Sequence, residues 1–145
     1  MAAPPANVIW SNDGSLLDLE QLRAFLNDAA NQVFARLNDN NYTPVHTSVP
    51  GDFNEASFVG YSPVAPNFAA AFVNGASKAE IDSAVISWLF TAGVGTATVF
   101  GWYLTYDTGG GDVLVCASKF VLPVTLSPAS PNLDRVVRLT AVSEL

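Results

Sequence analysis

The sequence predicts a mainly β protein, an antiparallel β-sandwich of jelly-roll-like or immunoglobulin-like type with one N-terminal α-helix. Beyond residue 31, apolar side chains recur with a period of two rather than 3.6. About six or seven short strand-like runs follow one another without alternating helices, which is typical of antiparallel sandwiches and barrels. The length of 145 residues fits one domain, and no internal repeat is visible.

The N-terminal part divides into an arm and a helix. Residues 1–8, dominated by Ala and Pro, are expected to form a flexible arm, and residues 9–145 the single domain. A helix is predicted over about residues 15–31, with Ser15 as its N-cap, because apolar residues recur at three- and four-residue spacing. The predicted core stripe of this helix consists of Leu16, Leu19, Leu22, Leu26 and Ala29.

The middle of the chain reads as short extended pieces. The run "QVFARLND" predicts a strand that ends in an Asn-rich turn. The run "FNEASFVGYSP" predicts a second extended piece, with Gly60 at a bulge or a close approach, and "FAAAFV" is ambiguous. The run "KAEIDSAVISWLF" predicts one strand that is covered on both sides. Its two apolar faces are Ala84, Ile86, Trp88 and Phe90 on one side, and Ile81, Val85 and Leu89 on the other.

The last third predicts a hairpin. The runs "ATVFGWYLTYD" and "DVLVCASKFVL" are strand-like and enclose the glycine-rich residues 108–111. The Pro-rich run "PVTLSPASPN" then predicts a loop, and "LDRVVRLTAV" a last strand. On the first hairpin strand, Tyr103 lies opposite the face predicted to be core and is expected to be exposed. That core face consists of Phe100, Trp102, Leu104 and Tyr106.

The tripeptide Asp107-Thr108-Gly109 matches the motif that carries the catalytic carboxylate of aspartic proteases. Those enzymes need two carboxylates that share one proton, and a small chain supplies the second only by dimerising. Here the Asp leaves a strand just before three glycines, which favour a solvent-exposed hairpin tip. The motif therefore predicts a turn rather than an active site.

The remaining chemistry-bearing residues predict no catalytic, cofactor-binding or metal-binding site. His46, the only histidine, lies in a loop-like run without a nucleophile and an orienting carboxylate at motif spacing. Cys116, the only cysteine, excludes an intrachain disulfide and is expected to pack as a small hydrophobic residue. One His and one Cys do not make a structural zinc site. The chain is therefore expected to be no enzyme.

The charge and the amino-acid composition of the chain indicate which classes of partner it binds. The net charge is −7 and the six basic residues are scattered, which argues against nucleic-acid binding. Only 13% of the residues are charged, so we expect a Ser/Thr/Asn-rich surface or one covered by other subunits.

No apolar run reaches the roughly 20 residues of a membrane span. The N-terminal residues do not read as a signal peptide, so we expect assembly in a cytoplasm.

The run "ARLNDNNYTPVHTSVPGDFNEASFVGYSP" resembles a segment of small virion structural proteins of tailed bacteriophages. The resemblance rests on an ordered series of motifs that spans roughly residues 33–142. The motifs are the Asn-rich turn at residues 40–44, "DFNEASFVGY" at residues 52–61, "VFGW" at residues 99–102 and "FVLPVTL" at residues 120–126.

This resemblance implies a head decoration (cement) protein or a fibre-associated protein. The implied partner is the major capsid protein, and the implied location is the capsid surface of a virion assembled in the host cytoplasm. Decoration proteins are commonly symmetric oligomers, so a homo-oligomer, with a trimer favoured, is expected. The candidate partner contacts are Pro4, Pro5, Trp10 and Tyr103. The alternative is a receptor- or glycan-binding β-sandwich module of a fibre or tail, with Tyr103 or Trp10 in an exposed aromatic patch.

Overall fold

The computed structural model describes the backbone of residues 12–141 and the side chains of residues 14–141. The expected arm, and with it Pro4, Pro5 and Trp10, lies outside the described residues. The described part is mainly β with one helix, as predicted. Its elements are α1 (Asn12–Asn27), β1 (Phe34–Asn38), β2 (Phe72–Val73), β3 (Ala79–Asp82), β4 (Ile86–Leu89), β5 (Ala97–Tyr106), β6 (Val113–Leu126), β7 (Asn132–Arg135) and β8 (Arg138–Thr140).

The strands form three antiparallel sheets. Their strand orders are β1–β5–β6, β2–β3–β8 and β4–β7. In the first sheet β5 is central and β6 lies at an edge. Helix α1 packs against β3 and β2. The core joins side chains from α1 and from strands of all three sheets, with Leu37, Ile81, Leu104 and Val137 fully buried.

Helix α1 begins and ends earlier than predicted. It already includes Asn12, so Ser15 lies inside the helix and is not its N-cap. It ends at Asn27 because the carboxylate of Asp28 accepts a hydrogen bond from the amide of Ala30 at 3.0 Å and caps a separate 3₁₀ turn, Ala29–Asn31. Four residues of the predicted stripe do face the core, whereas Ala29, in the 3₁₀ turn, is exposed.

The predicted long strand "KAEIDSAVISWLF" is broken into β3 and β4. The break lies at residues 84–85, which belong to neither strand. Ser83 still continues the β3–β8 pairing, since its amide donates to the Val137 carbonyl and its hydroxyl accepts from the Val137 amide, both at 2.9 Å. After it the chain leaves this pairing, and the amide of Ala84 donates to the Asn67 carbonyl at 2.7 Å. The expected coverage on both sides is wrong, because Val85 and Leu89 are 63% and 46% exposed. Ile81 is buried because it belongs to the other strand, β3.

Gly60 is at a close approach, as predicted. Its φ is +94°, and a Cβ at this position would lie 2.4 Å from the carbonyl oxygen of Leu89. The surrounding run "FNEASFVGYSP" forms a single bridge, between Asn38 and Glu55, and no ladder.

The predicted hairpin is present as β5 and β6, joined by the glycine-rich tip. The loop predicted at "PVTLSPASPN" is shorter than expected, because residues 123–126 continue β6 and the turn begins at Ser127. The predicted last strand is split into β7 and β8 around residues 136–137. These two strands then join different sheets.

Candidate functional site

The hairpin tip is a turn, as its sequence predicts. One carboxylate oxygen of Asp107 accepts the amide of Gly109 at 2.7 Å and that of Gly111 at 3.2 Å. Both glycines have positive φ, 116° and 103°, which only glycine adopts without strain. The carboxylate of Asp107 therefore holds its own turn, as an Asx-type side chain does.

Tyr103 is not an exposed contact, and the prediction of its exposure is wrong. The residue is 4% exposed, and its ring stacks on Phe53 with centroids 4.6 Å apart and planes at 15°. Tyr42 packs edge-on against Phe53 at 5.1 Å, so the Asn-rich loop between β1 and residue 56 covers this face of β5. Burial raises the pKa of the Tyr103 phenol to about 12.

The alternation of side chains along β5 predicts the wrong exposed face, because β5 is a central strand whose pairing register is irregular. Its pairing with β6 shifts after Val99 and again after Leu104. Leu104 of the predicted core face is fully buried, but so is Thr105 of the opposite face, and Phe100, Trp102 and Tyr106 are only half-buried. A strand covered on both sides gives no reliable inside and outside from a period of two.

A charged cluster lies beside Tyr103 on the same sheet. The guanidinium of Arg36 donates to both carboxylate oxygens of Glu55 at 3.0 Å and to the Thr105 hydroxyl at 3.1 Å. The Tyr61 hydroxyl donates to Glu55 at 2.8 Å and accepts the amide of Leu37 at 3.2 Å. Burial and the adjacent Glu55 raise the pKa of Tyr61. With its donors and acceptors occupied by each other, this cluster ties β1 to the following loop.

His46 and Cys116 line one shallow cavity of about 390 Å³ between the Asn-rich loop and β6. His46 is exposed, and Cys116 packs against the core, as predicted. Burial raises the pKa of the Cys116 thiol to about 12. A nucleophilic cysteine needs a lowered pKa, so the Cys116 thiol is not prepared for nucleophilic catalysis.

The feature with the clearest capacity for binding is a bulge in β6. Val124 pairs with Val99 and Lys119 pairs with Gly101, so residues 120–123 have no partner on β5. We call Phe120–Pro123 the β6 bulge. Within it Val121 is 99% exposed and Leu122 is 76% exposed, while Phe120 packs against the core. The bulge thus holds two large aliphatic side chains in solvent at a sheet edge.

Two basic residues flank the β6 bulge. Lys119 precedes it, and its amino group donates to the Thr43 hydroxyl at 3.2 Å. The guanidinium carbon of Arg135 lies 4.6 Å from the centroid of the Phe120 ring, and the same group donates to the Asp134 carbonyl at 2.8 Å. Neither cation has a carboxylate partner among the described residues, whereas the guanidinium groups that do are those of Arg23, Arg36 and Arg138.

Sequence reasoning did not find the β6 bulge, because "SKFVLPV" also reads as a continuous strand. The available signal was Pro123, since proline inside a strand is typical of edges and bulges.

Among the side chains of residues 14–141, no cluster of three or more His, Cys, Asp or Glu groups has an arrangement that would hold a metal ion. The one α-helix described, α1, is not long and apolar enough to cross a membrane. Comparison with family models, with curated proteins and with solved structures gives no match.

Proposed function

We propose that this chain is a non-enzymatic structural protein of a tailed-phage virion, a decoration protein that binds the assembled capsid and stabilises it. Its partner is the major capsid protein, and it acts as a homo-oligomer, with a trimer favoured, on a particle assembled in the host cytoplasm. We further propose that its sheets pack as a β-sandwich of jelly-roll-like or immunoglobulin-like type. The motif series of residues 33–142 supports the family, and the β6 bulge supports the role.

The single observation that carries the role is the exposure of Val121 and Leu122 at an unpaired part of β6. Monomeric proteins scatter exposed apolar residues singly, whereas apolar groups that protrude together favour a partner contact. Burying a Val or Leu side chain contributes roughly 1.5–3 kcal/mol. A protein that bridges shell subunits needs such an apolar centre with a polar rim, repeated by symmetry.

The polar chemistry of the described residues agrees with a binding role. The Asp107 carboxylate is engaged by its own turn, the Arg36 cluster is internally satisfied, and the thiol of Cys116 is protonated at neutral pH. A metal-dependent or carboxylate-dependent reaction has no support from these groups. The role therefore follows from surfaces rather than from reactive side chains.

The test is to incubate the purified protein with undecorated capsids of the phage that encodes it. We expect saturable binding and a rise in the melting temperature of the capsids, because a ligand that binds only the assembled state stabilises it. Capsids that bind none of the protein and melt unchanged would remove the proposal.

The alternative, a glycan-binding module of a fibre or tail, is not favoured by the described residues. It requires an exposed aromatic patch, and Tyr103 is buried under Phe53. A glycan array that gives a saturable signal would revive it.

A further inference from the structure

We propose that the β6 bulge inserts Val121 and Leu122 into an apolar recess of the partner protein whose rim carries carboxylates. This inference rests on the proposed function and specifies the chemistry of the capsid surface that the protein recognises. The apolar part follows from the two exposed side chains. The acidic rim follows from the two flanking cations, Lys119 and Arg135.

Lys119 and Arg135 indicate the charge of the partner surface, because the rest of the chain is mainly acidic. It carries 13 acidic and six basic residues, so a basic side chain has many carboxylates with which to pair. Three of the six do pair, Arg23, Arg36 and Arg138, and of the other three only Lys119 and Arg135 flank the bulge. Lys119 and Arg135 keep their charge without a carboxylate in the described part of the chain, next to its most exposed apolar side chain. Charge complementarity across an interface guides encounter and sets register, which makes carboxylates the matching groups.

A lipid surface fits the bulge less well. Binding to anionic membranes typically uses clusters of about four to eight basic residues, whereas two flank the bulge. The net charge of −7 opposes approach to an anionic surface.

A second copy of this chain fits less well too. Antiparallel pairing of β6 with itself about Val121 sets Lys119 opposite Pro123 of the other copy, so Lys119 gains no carboxylate partner there. A protein recess with a few carboxylates at its rim requires no more cations than the two that flank the bulge.

The experiment measures the affinity of purified variants for undecorated capsids of the same phage. The double variant Val121→Ser/Leu122→Ser removes the apolar side chains, and the matched control Leu17→Ser/Val94→Ser changes two residues that are 60% and 82% exposed elsewhere. We expect the first variant to bind about a hundredfold more weakly and the control within about twofold. Thermal unfolding of the free proteins should be unchanged, since all four side chains are exposed.

The acidic rim is tested by Lys119→Glu against Lys78→Glu. Each change alters the net charge equally, and Lys78 is also without a carboxylate partner among the described residues. We expect Lys119→Glu to weaken binding by about fivefold, with Lys78→Glu within about twofold. Equal effects of the two reversals, or tighter binding by Lys119→Glu, would contradict the acidic rim.

The outcomes separate the two proposals. If the unmodified protein does not bind capsids, the proposed function fails and this inference falls with it. If it binds and the Val121→Ser/Leu122→Ser variant binds equally well, or the control is weakened as much, only this inference fails. Two further arms identify other occupants: flotation with vesicles that contain phosphatidylserine, and sedimentation velocity of the free protein. Vesicle binding or self-association that the bulge variant abolishes would replace the acidic recess by a lipid surface or a second copy.

Discussion

The two parts of the β5–β6 hairpin use the same kind of side chain in opposite ways. Where the strands pair, Leu104 is fully buried opposite Cys116. A few residues further along β6, where pairing is interrupted, Leu122 is 76% exposed. The hydrophobic effect stabilises the fold only where apolar area leaves water on folding. The paired part of the hairpin therefore stabilises the chain, and the β6 bulge leaves its apolar area in water, where we propose that a partner covers it.

The most direct test of this comparison truncates one leucine in the paired part of the hairpin and one in the β6 bulge. Leu104→Ala is expected to lower the free energy of unfolding by about 3 kcal/mol, since it leaves a cavity in the core. Leu122→Ala is expected to change it by less than about 0.5 kcal/mol, since the side chain is already in water. Chemical denaturation of both variants measures the two values. A Leu122→Ala variant as unstable as Leu104→Ala would show that the bulge is packed in the folded protein.

A second contrast uses glycines of the same hairpin. A Cβ on Gly101 would lie 2.4 Å from the Ser118 carbonyl oxygen and 3.1 Å from the Asn38 side-chain oxygen. Gly101→Ala is therefore expected to cost about 2 kcal/mol through overpacking. Gly110→Ala is the control, because a Cβ there meets nothing within 4 Å. Equal unfolding midpoints for the two variants would contradict the close contact of β5 with both neighbouring strands.

At the hairpin tip the expected effect is smaller and depends on the acceptor rather than on the charge. Asp107→Ala removes the acceptor of the Gly109 and Gly111 amides and is expected to cost about 1 kcal/mol. Asp107→Asn keeps a carbonyl oxygen there and is expected to cost less than half as much. Unfolding measurements on both variants check this order, and an Asn variant as unstable as the Ala variant would refute the turn role.

The effect that is smallest at neutral pH is the pH dependence of stability, which emerges only above about pH 9. Burial raises the pKa of Cys116 from 9.0 and that of Tyr103 from 10.0 to about 12 each. The folded state thus holds these protons more tightly than the unfolded state. The stability that they contribute is complete below about pH 9 and is lost as the pH rises towards 12.

Cys116→Ala tests this dependence. The fall in unfolding free energy between pH 8 and pH 11 should be smaller in the variant than in the unmodified chain, whatever the offset at pH 8. A native thiol that reacts rapidly with a disulfide reagent at pH 8 would contradict its burial.

The sequence predicted the elements whose signals are local. The helix stripe of Leu19 and Leu26, the glycine-rich turn after Asp107 and the close approach at Gly60 each depend on a few neighbouring residues. The fold class, mainly β and antiparallel, followed from the period of two and is confirmed at that level.

The features that were not predicted from the sequence depend on contacts between residues that are distant in the chain. Tyr103 is buried because Phe53, 50 positions earlier, stacks on it. The predicted long strand breaks after Ser83, where the amide of Ala84 donates to the Asn67 carbonyl. The β6 bulge arises because β5 supplies no partners for four residues of its neighbour. The local alternation of apolar and polar residues indicates none of these contacts.

We propose that the β6 bulge, not a reactive site, carries the function. An electron cryo-microscopy reconstruction of capsids saturated with the protein tests it most directly. We expect Val121 and Leu122 to lie against the major capsid protein in a recess lined with apolar side chains and bordered by acidic ones. A reconstruction in which the protein binds through another surface and the bulge faces solvent would contradict it.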